Sequence, residues 1–129
     1  IGLLVFLVIL NEITDASRES NFSSRPFCFL SHFSTELRVI NTRFINLVAQ
    51  DEERWQLAGD QLFVELDLSE ENLPAGTRLE IGSAVIEVTE QPHTGCKKFA
   101  ARFGNDAQKF VMTPVGRQMR LRGMCARVV

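Results

Sequence analysis

The chain has 129 residues, of which 45% are hydrophobic and 23% charged, and its formal net charge is −2. This length and composition are those of a single globular domain that buries about two-thirds of its unfolded surface. Its three cysteines have no CxxC spacing. An odd number without a framework argues against a secreted disulfide scaffold, so we expect a reducing, cytoplasmic setting.

The first forty residues show no regular pattern. Residues 1–10 are almost uniformly apolar, but Asn11 and Glu12 end this run far short of the ~20 residues that span a bilayer. We therefore predict no membrane span, and the run fits either a buried β-strand or a signal peptide that is cut at its start. Residues 16–25 are polar and rich in serine, which favours a loop or disorder.

From Asn41 onward the pattern becomes regular. Residues 43–48 (R-F-I-N-L-V) predict a strand. Residues 51–57 predict a short helix that has acidic residues in its first turn and ends at Gly59. Apolar and acidic residues alternate over residues 62–68, and this alternation predicts a second strand with one apolar face.

Two further strands are predicted over residues 78–81 and 84–90. They are separated by Gly82-Ser83, a pair that is typical of a tight hairpin. Short strands at this spacing favour a barrel over a parallel α/β sheet.

The stretch Q-P-H-T-G-C-K-K-F, directly after these strands, contains the most reactive group that the sequence predicts. Pro92 ends the strand because it cannot donate to a sheet ladder. Thr94 is the expected N-cap of a helix, which places Cys96 in its first turn near unpaired backbone N–H groups. These groups, together with Lys97 and Lys98, should lower the pKa of the Cys96 thiol.

Apolar residues continue at helical spacing beyond this stretch, and Gly104 interrupts them. We expect Asn105 or Asp106 to cap the second helix. Pro114 and Gly116 are expected to break the chain ahead of a strand over residues 124–129. Because the sequence stops there without a turn, we expect that strand to leave an open sheet edge that promotes dimerisation or aggregation.

Charge is divided unevenly along the chain. Residues 1–90 carry 6 basic and 15 acidic side chains, whereas residues 91–129 carry 8 basic and 1 acidic. A basic region around a thiol is suited to an anionic ligand such as a phosphate, and a solvated basic face is the alternative.

Two segments resemble the MOSC domain, a module named for the C-terminus of molybdenum-cofactor sulfurase. They read I-G-S-A-V-I-E-V-T-E-Q-P-H-T-G-C-K-K-F and R-L-R-G-M-C-A-R-V-V, and the resemblance covers about residues 41–129. It implies a mostly β fold with a few short helices, a MOSC-like β-barrel that we expect to be incomplete at both ends. We assign residues 1–40 to a segment without a match and expect residues 1–35 to be dispensable for the fold around Cys96.

The resemblance also implies a function, namely a sulfur-carrier or cofactor-binding domain in molybdenum-cofactor or metal–sulfur chemistry. The family's signature cysteine corresponds to Cys96, which would carry a persulfide. Molybdenum cofactor and, more weakly, pyridoxal phosphate are the implied cofactors, with a cysteine desulfurase-type protein as sulfur donor. The cofactor-binding residues assigned on this basis are His93, Thr94, Lys97, Lys98, Arg102, Arg120 and Arg122.

Other functions stay open at this point. A non-catalytic anion-binding module would use the same basic surface. A thiol redox enzyme would use Cys96 together with a resolving cysteine, whereas Cys125 is interpreted most simply as a small buried hydrophobe. His93 is either a base for Cys96 or a ligand-binding or loop-shaping residue. We predict neither a metal site, because a second Cys/His pair is missing, nor a nucleic-acid partner.

Overall fold

The computed structural model describes residues 9–10 and 36–129 of the chain. The strands in these ranges are β1 (Ile9–Leu10), β2 (Glu36–Asn41), β3 (Leu62–Val64), β4 (Arg78–Ile81), β5 (Ala84–Val88) and β6 (Met124–Val128). The α-helices there are α1 (Thr42–Ala49), α2 (Lys97–Phe103), α3 (Asn105–Met112) and α4 (Pro114–Gln118), and a 3₁₀ helix spans Glu52–Ala58.

The strands form one mixed sheet in the order β1-β3-β2-β6-β5-β4. Strands β2 and β3 pair in parallel, and the helical connection of α1 and the 3₁₀ helix between them makes this geometry possible. The other neighbouring strands are antiparallel. Strands β2 to β6 curl into a half-barrel, as expected for a mostly β fold with a few short helices.

Alternate residues of the strands supply two separate hydrophobic cores. Val39 and Leu62 belong to one core, which lies on one side of the sheet together with Met124. Their neighbours Ile40 and Phe63 belong to the other core, which the helices cover. Successive side chains of a strand point to opposite faces, so β2 and β3 are buried on both sides where Val39 and Ile40 pair with Leu62 and Phe63.

The predicted strand over residues 43–48 is wrong, because these residues lie in α1. Asn41 caps the helix, and its side chain accepts hydrogen bonds from the backbone N–H groups of Arg43 and Phe44. Phe44, Ile45 and Ala49 are buried against the sheet, at a spacing that only a helix brings onto one face. Burial of this apolar stripe outweighs the β-propensity of the segment.

The short helix predicted over residues 51–57 is confirmed as the 3₁₀ helix. The side chain of Asp51 caps its start, and Gly59 ends it in the left-handed conformation with φ of 75°. Trp55 anchors this helix in the core, where its ring stacks on Phe63 with centroids 5.5 Å apart. The indole N–H donates to the side-chain oxygen of Asn46 at 3.0 Å, so the polar end of the ring is satisfied.

The hairpin between β4 and β5 is confirmed, with Gly82 at φ of 61° in its turn. The strand that was predicted over residues 62–68 is regular only as far as Val64. The predicted apolar face is nevertheless present, because Leu62, Val64 and Leu68 share one core.

The helix signals of the C-terminal third differ from those predicted. Helix α3 begins at Asn105 itself, so neither Asn105 nor Asp106 is the cap, and Gly104 precedes it without a side-chain capping bond. Pro114 begins α4 instead of breaking the chain, and the Thr113 hydroxyl accepts a hydrogen bond from the N–H of Gly116. Proline is favoured at the first helical position, where its missing N–H is not needed.

The open edge predicted at the C-terminal strand is also wrong. Strand β6 lies inside the sheet between β2 and β5 and pairs with both. At the other end of the chain, Ile9–Leu10 pairs with β3. The boundary predicted between residues 40 and 41 falls at the end of β2, and the proposed division of the chain stays a prediction. The loop predicted over residues 16–25 lies outside the described residues.

Candidate functional site

A cavity of about 400 Å³ lies beside the exposed thiol of Cys96. The loop between β5 and α2 forms one wall, and α2, β2, β6 and the end of the 3₁₀ helix contribute the others. Its basic and reactive lining residues are Arg38, Lys98, Arg102, Arg122, His93, Cys96 and Cys125. The topology therefore gathers cationic groups around a thiol at one place on the sheet.

Cys96 is itself the N-cap of α2, so the assignment of Thr94 as the cap is wrong. Its backbone is extended, with φ of −98°, and its side chain makes no capping hydrogen bond. The N–H of Phe99, and after it the N–H of Lys98, nevertheless lowers the pKa of the thiol, to which the charge of Arg122 also contributes. Partial burial opposes this effect. The lowering was predicted from backbone N–H groups together with the two lysines. The backbone groups act as predicted, whereas the side-chain charge that contributes is that of Arg122 and not that of Lys97 or Lys98.

A buried cluster of charged and polar side chains lies next to the thiol. Asp60, whose side chain has no exposed surface, accepts a hydrogen bond from Arg122 at 2.7 Å and contacts the Nε2 of His93 at 2.8 Å. A carboxylate this deeply buried needs such partners. Asp60 was missed in the sequence, where nothing local separates it from the other acidic residues.

Arg122 connects this cluster to Cys96. One terminal nitrogen binds Asp60 and the other donates to the carbonyl oxygen of Ala58 at 2.9 Å. The guanidinium lies over the ring of Phe99, 4.9 Å from its centroid. Phe99 is the third residue of α2, and its own N–H is the backbone group that lowers the pKa of Cys96 most. The cation is therefore held against the helical turn that begins at the thiol.

The structure places only some of the predicted ligand residues at the cavity beside Cys96. His93, Thr94, Lys98, Arg102 and Arg122 line the cavity of Cys96, whereas Lys97 and Arg120 do not. Arg102 also has a structural role, since it donates to the carbonyl of Leu57 at 2.7 Å. His93 directs its Nε2 to Asp60, and its predicted action as a base on Cys96 stays a prediction.

Arg120 lies in a second cavity of about 250 Å³, which shares His93 and Arg122 with the first. Its guanidinium donates to the carbonyl oxygen of Leu73 at 2.6 Å. Arg120 has a positive φ of 47°, which is uncommon for a residue other than glycine. These contacts tie Arg120 to the loop before β4.

Cys125 differs from Cys96 in the exposure of its side chain and in the direction in which its pKa is shifted, and both properties control the reactivity of a thiol. It is only 2% exposed, in agreement with its interpretation as a small buried residue. Burial, followed by a hydrogen bond to Glu36, raises the pKa of its thiol to about 11. A thiol with this pKa is almost entirely protonated near neutral pH.

We therefore expect Cys96 to react with iodoacetamide faster than Cys125 near neutrality, because the thiolate is the nucleophile. The fraction of thiolate at pH 7 is roughly 10⁻⁴ for a pKa of about 11, and burial slows Cys125 further. The measurement is the alkylation rate against pH, followed by peptide mass analysis in a Cys28→Ser background. Equal rates for the two cysteines, or faster labelling of Cys125, would contradict the assignment.

Two kinds of feature are absent from the described ranges. No helix within residues 9–10 and 36–129 is long and apolar enough to cross a membrane. The same ranges contain no group of three or more His, Cys, Asp or Glu side chains that could hold a metal ion.

Comparison with known proteins identifies the fold. The chain is similar to a solved structure of YiiM from Geobacillus stearothermophilus, a MOSC-domain protein, with a TM-score of 0.53 and 20% identity. The match covers 72% of this chain and 46% of YiiM, so the chain spans less than half the length of that protein. A second solved structure, of a hypothetical protein, matches with a TM-score of 0.48 and 23% identity over 72% of this chain and 44% of that one. No family model and no curated protein matches the chain. The fold is MOSC-like.

Proposed function

We propose that the chain is a MOSC-type sulfur-carrier or cofactor-binding domain in which Cys96 accepts sulfur as a persulfide. The observation that carries this proposal is the lowered pKa of an exposed thiol that lies beside a cavity lined by basic residues. A thiolate is the species that attacks a sulfur donor. Cys96 is accessible to a donor protein such as a cysteine desulfurase, whereas Cys125 is buried.

The persulfide would be stabilised as an anion by the groups that favour the thiolate. The backbone N–H groups of Phe99 and Lys98 lie at the sulfur, and Arg122 supplies a nearby positive charge. Lys98 and Arg102 add positive charge to the cavity lining. In this proposal His93 and Thr94 shape the wall of the cavity that faces the transferred sulfur.

The donor set of the cavity also fits an anionic cofactor. Arg102, Arg122 and Lys98, which line the cavity, would hold the phosphate of a molybdenum cofactor. The cofactor, when bound, would supply the acceptor for the sulfur that Cys96 carries. For pyridoxal phosphate, the same basic residues would hold the phosphate, and this weaker expectation stays a proposal.

Two alternatives have observations in their favour. The basic lining of the cavity by Arg38, Lys98 and Arg102 suits a module that binds an anion without chemistry at Cys96. A thiol redox enzyme would use Cys125, which lines the same cavity, as the resolving cysteine. A pKa of about 11 disfavours that role, since Cys125 would have to leave and attack as a thiolate.

The test is incubation of the full chain with a cysteine desulfurase and cysteine, followed by intact-mass analysis. We expect a gain of one sulfur atom that disappears on treatment with a reductant. Cys96→Ser should abolish the gain, and the matched variant Cys125→Ser should retain it. Absence of the gain in the parent chain, or its loss in Cys125→Ser alone, would contradict the proposal.

A further inference from the structure

One edge of the sheet is formed by β4, far along the strand order from β1. Within the described residues β4 pairs only with β5, because it is the last strand of the sheet. Its apolar side chains, Leu79 and Ile81, pack against the core that contains Val39, yet both stay partly exposed. An uncovered edge of this kind is a template for pairing with a further strand.

The pairing of β5 determines which backbone groups of β4 face the open side. The carbonyl oxygen of Val85 in β5 accepts a hydrogen bond from the backbone just after β6. Backbone groups alternate in direction along a strand, so those of Ile86 point the other way, to its partner Leu79 in β4. The N–H and C=O groups of Arg78 and Glu80, on either side of Leu79, therefore face the open edge.

Charged side chains of alternating sign form a row across the sheet that ends at this edge. Arg127 of β6, Glu87 of β5 and Arg78 of β4 are direct neighbours in the register. Glu87 forms ion pairs with both arginines, and its Oε2 lies 3.1 Å from the Nε of Arg78. The side chain of Arg78 is nevertheless 64% exposed. A strand next to β4 that placed an acidic residue opposite Arg78 would continue the alternation.

The strand β4 supplies such an acidic residue itself, in Glu80. Two copies of β4 can pair antiparallel about a two-fold axis, across which each contact occurs twice. With the axis at Leu79, Arg78 of each copy lies opposite Glu80 of the other, and both residues present their backbone groups to the partner. An axis at Arg78 or at Glu80 would instead place like charges opposite each other, which is destabilising. The strand is therefore self-complementary in one register.

We propose that β4 is an interaction surface that pairs antiparallel with β4 of a second copy of this chain, with the two-fold axis at Leu79. Charge complementarity identifies the second copy as the occupant, because edge charges of a single sign would repel an identical strand. On the other face of the sheet, Leu79 of one copy would meet Leu79 of the second and become more fully covered. This interface goes beyond the proposed function and does not depend on the chemistry of Cys96.

Sedimentation equilibrium of the full chain at micromolar concentrations tests the pairing, and we expect the parent chain to be a dimer. Arg78→Glu would place two carboxylates opposite each other in both pairs, and Glu80→Arg would place two cations there. Each substitution should weaken dimerisation by about 10- to 100-fold. The matched control Arg43→Glu reverses an arginine of another exposed ion pair and should keep the dissociation constant of the parent.

Mixing the two variants provides a test that neither variant gives alone. In the mixed dimer, the new glutamate of one chain faces the new arginine of the other, and the unchanged Glu80 faces the unchanged Arg78. We therefore expect a heterodimer with about the affinity of the parent dimer. Because only folded chains can form it, its appearance also shows that both variants fold. Two folded variants, confirmed by circular dichroism, that stay monomeric when mixed would overturn the proposed register.

Hydrogen exchange of the parent chain identifies what covers the edge. The amides of Arg78 and Glu80 should exchange slowly in the dimer and faster on dilution, since their N–H groups face the second copy. A monomer in which these amides stay protected would show that another segment of the same chain covers β4, and a monomer in which they exchange fast would show an uncovered edge. Either result would overturn the inference, as would a dimer that persists in both Arg78→Glu and Glu80→Arg.

Discussion

Replacing Asp60 with alanine is expected to lower the free energy of unfolding by about 3–5 kcal/mol. The side chain of Asp60 has no exposed surface, and those of its partners Arg122 and His93 are 6% and 8% exposed. Removing the carboxylate leaves the guanidinium buried without its counter-charge, and such a charge recovers little hydration. Urea unfolding, followed by circular dichroism, measures the loss.

Two further variants separate this buried pair from salt bridges in general. Glu65→Ala breaks the Arg43–Glu65 pair, whose side chains are 80% and 52% exposed, and should change stability by about 1 kcal/mol or less. The double variant Asp60→Leu/Arg122→Met removes both charges and should be more stable than Asp60→Ala alone, because no uncompensated charge remains. A double variant that is less stable than Asp60→Ala would contradict this account.

The features that the sequence predicts well are those with local causes. The β4–β5 hairpin follows from Gly82-Ser83, and the 3₁₀ helix follows from the cap at Asp51 and the left-handed Gly59. The position of Cys96 at a helix start depends on a few neighbouring residues. In each case the side chains or backbone groups that determine the conformation lie within one turn of one another.

The features that the sequence does not predict have distant causes. Asp60 acquires its role from His93 and Arg122, which lie 33 and 62 residues farther along the chain. Helix α1 has strand-like residues, and tertiary burial of Phe44 and Ile45 decides its conformation. Strand β6 is central because β2 and β5 pair with it, and strand order is not encoded in any local pattern.

Gly123 lies against both β2 and His93 of the cavity wall, and we expect this position to tolerate no side chain. Gly123 has φ of 114°, and a Cβ there would lie 2.4 Å from the carbonyl oxygen of Val39 and 3.0 Å from the ring of His93. A side chain in this conformation costs about 1–3 kcal/mol. The forced displacement of β2 adds a similar amount, about 1–3 kcal/mol.

The prediction is therefore that Gly123→Ala destabilises the chain more than a glycine replacement that meets only the conformational penalty. Gly104 is the matched control, since its φ is 97° and a Cβ there would have no neighbour within 4 Å. Urea unfolding of Gly123→Ala and Gly104→Ala gives the difference that the contact with Val39 causes. Because the ring of His93 must also move, Gly123→Ala should change the alkylation rate of Cys96 in the fraction that stays folded. Equal stability of the two variants would show that β2 accommodates the methyl group without a loss of free energy of unfolding. The close approach of Gly123 to β2 would then have no role in positioning the wall of the cavity.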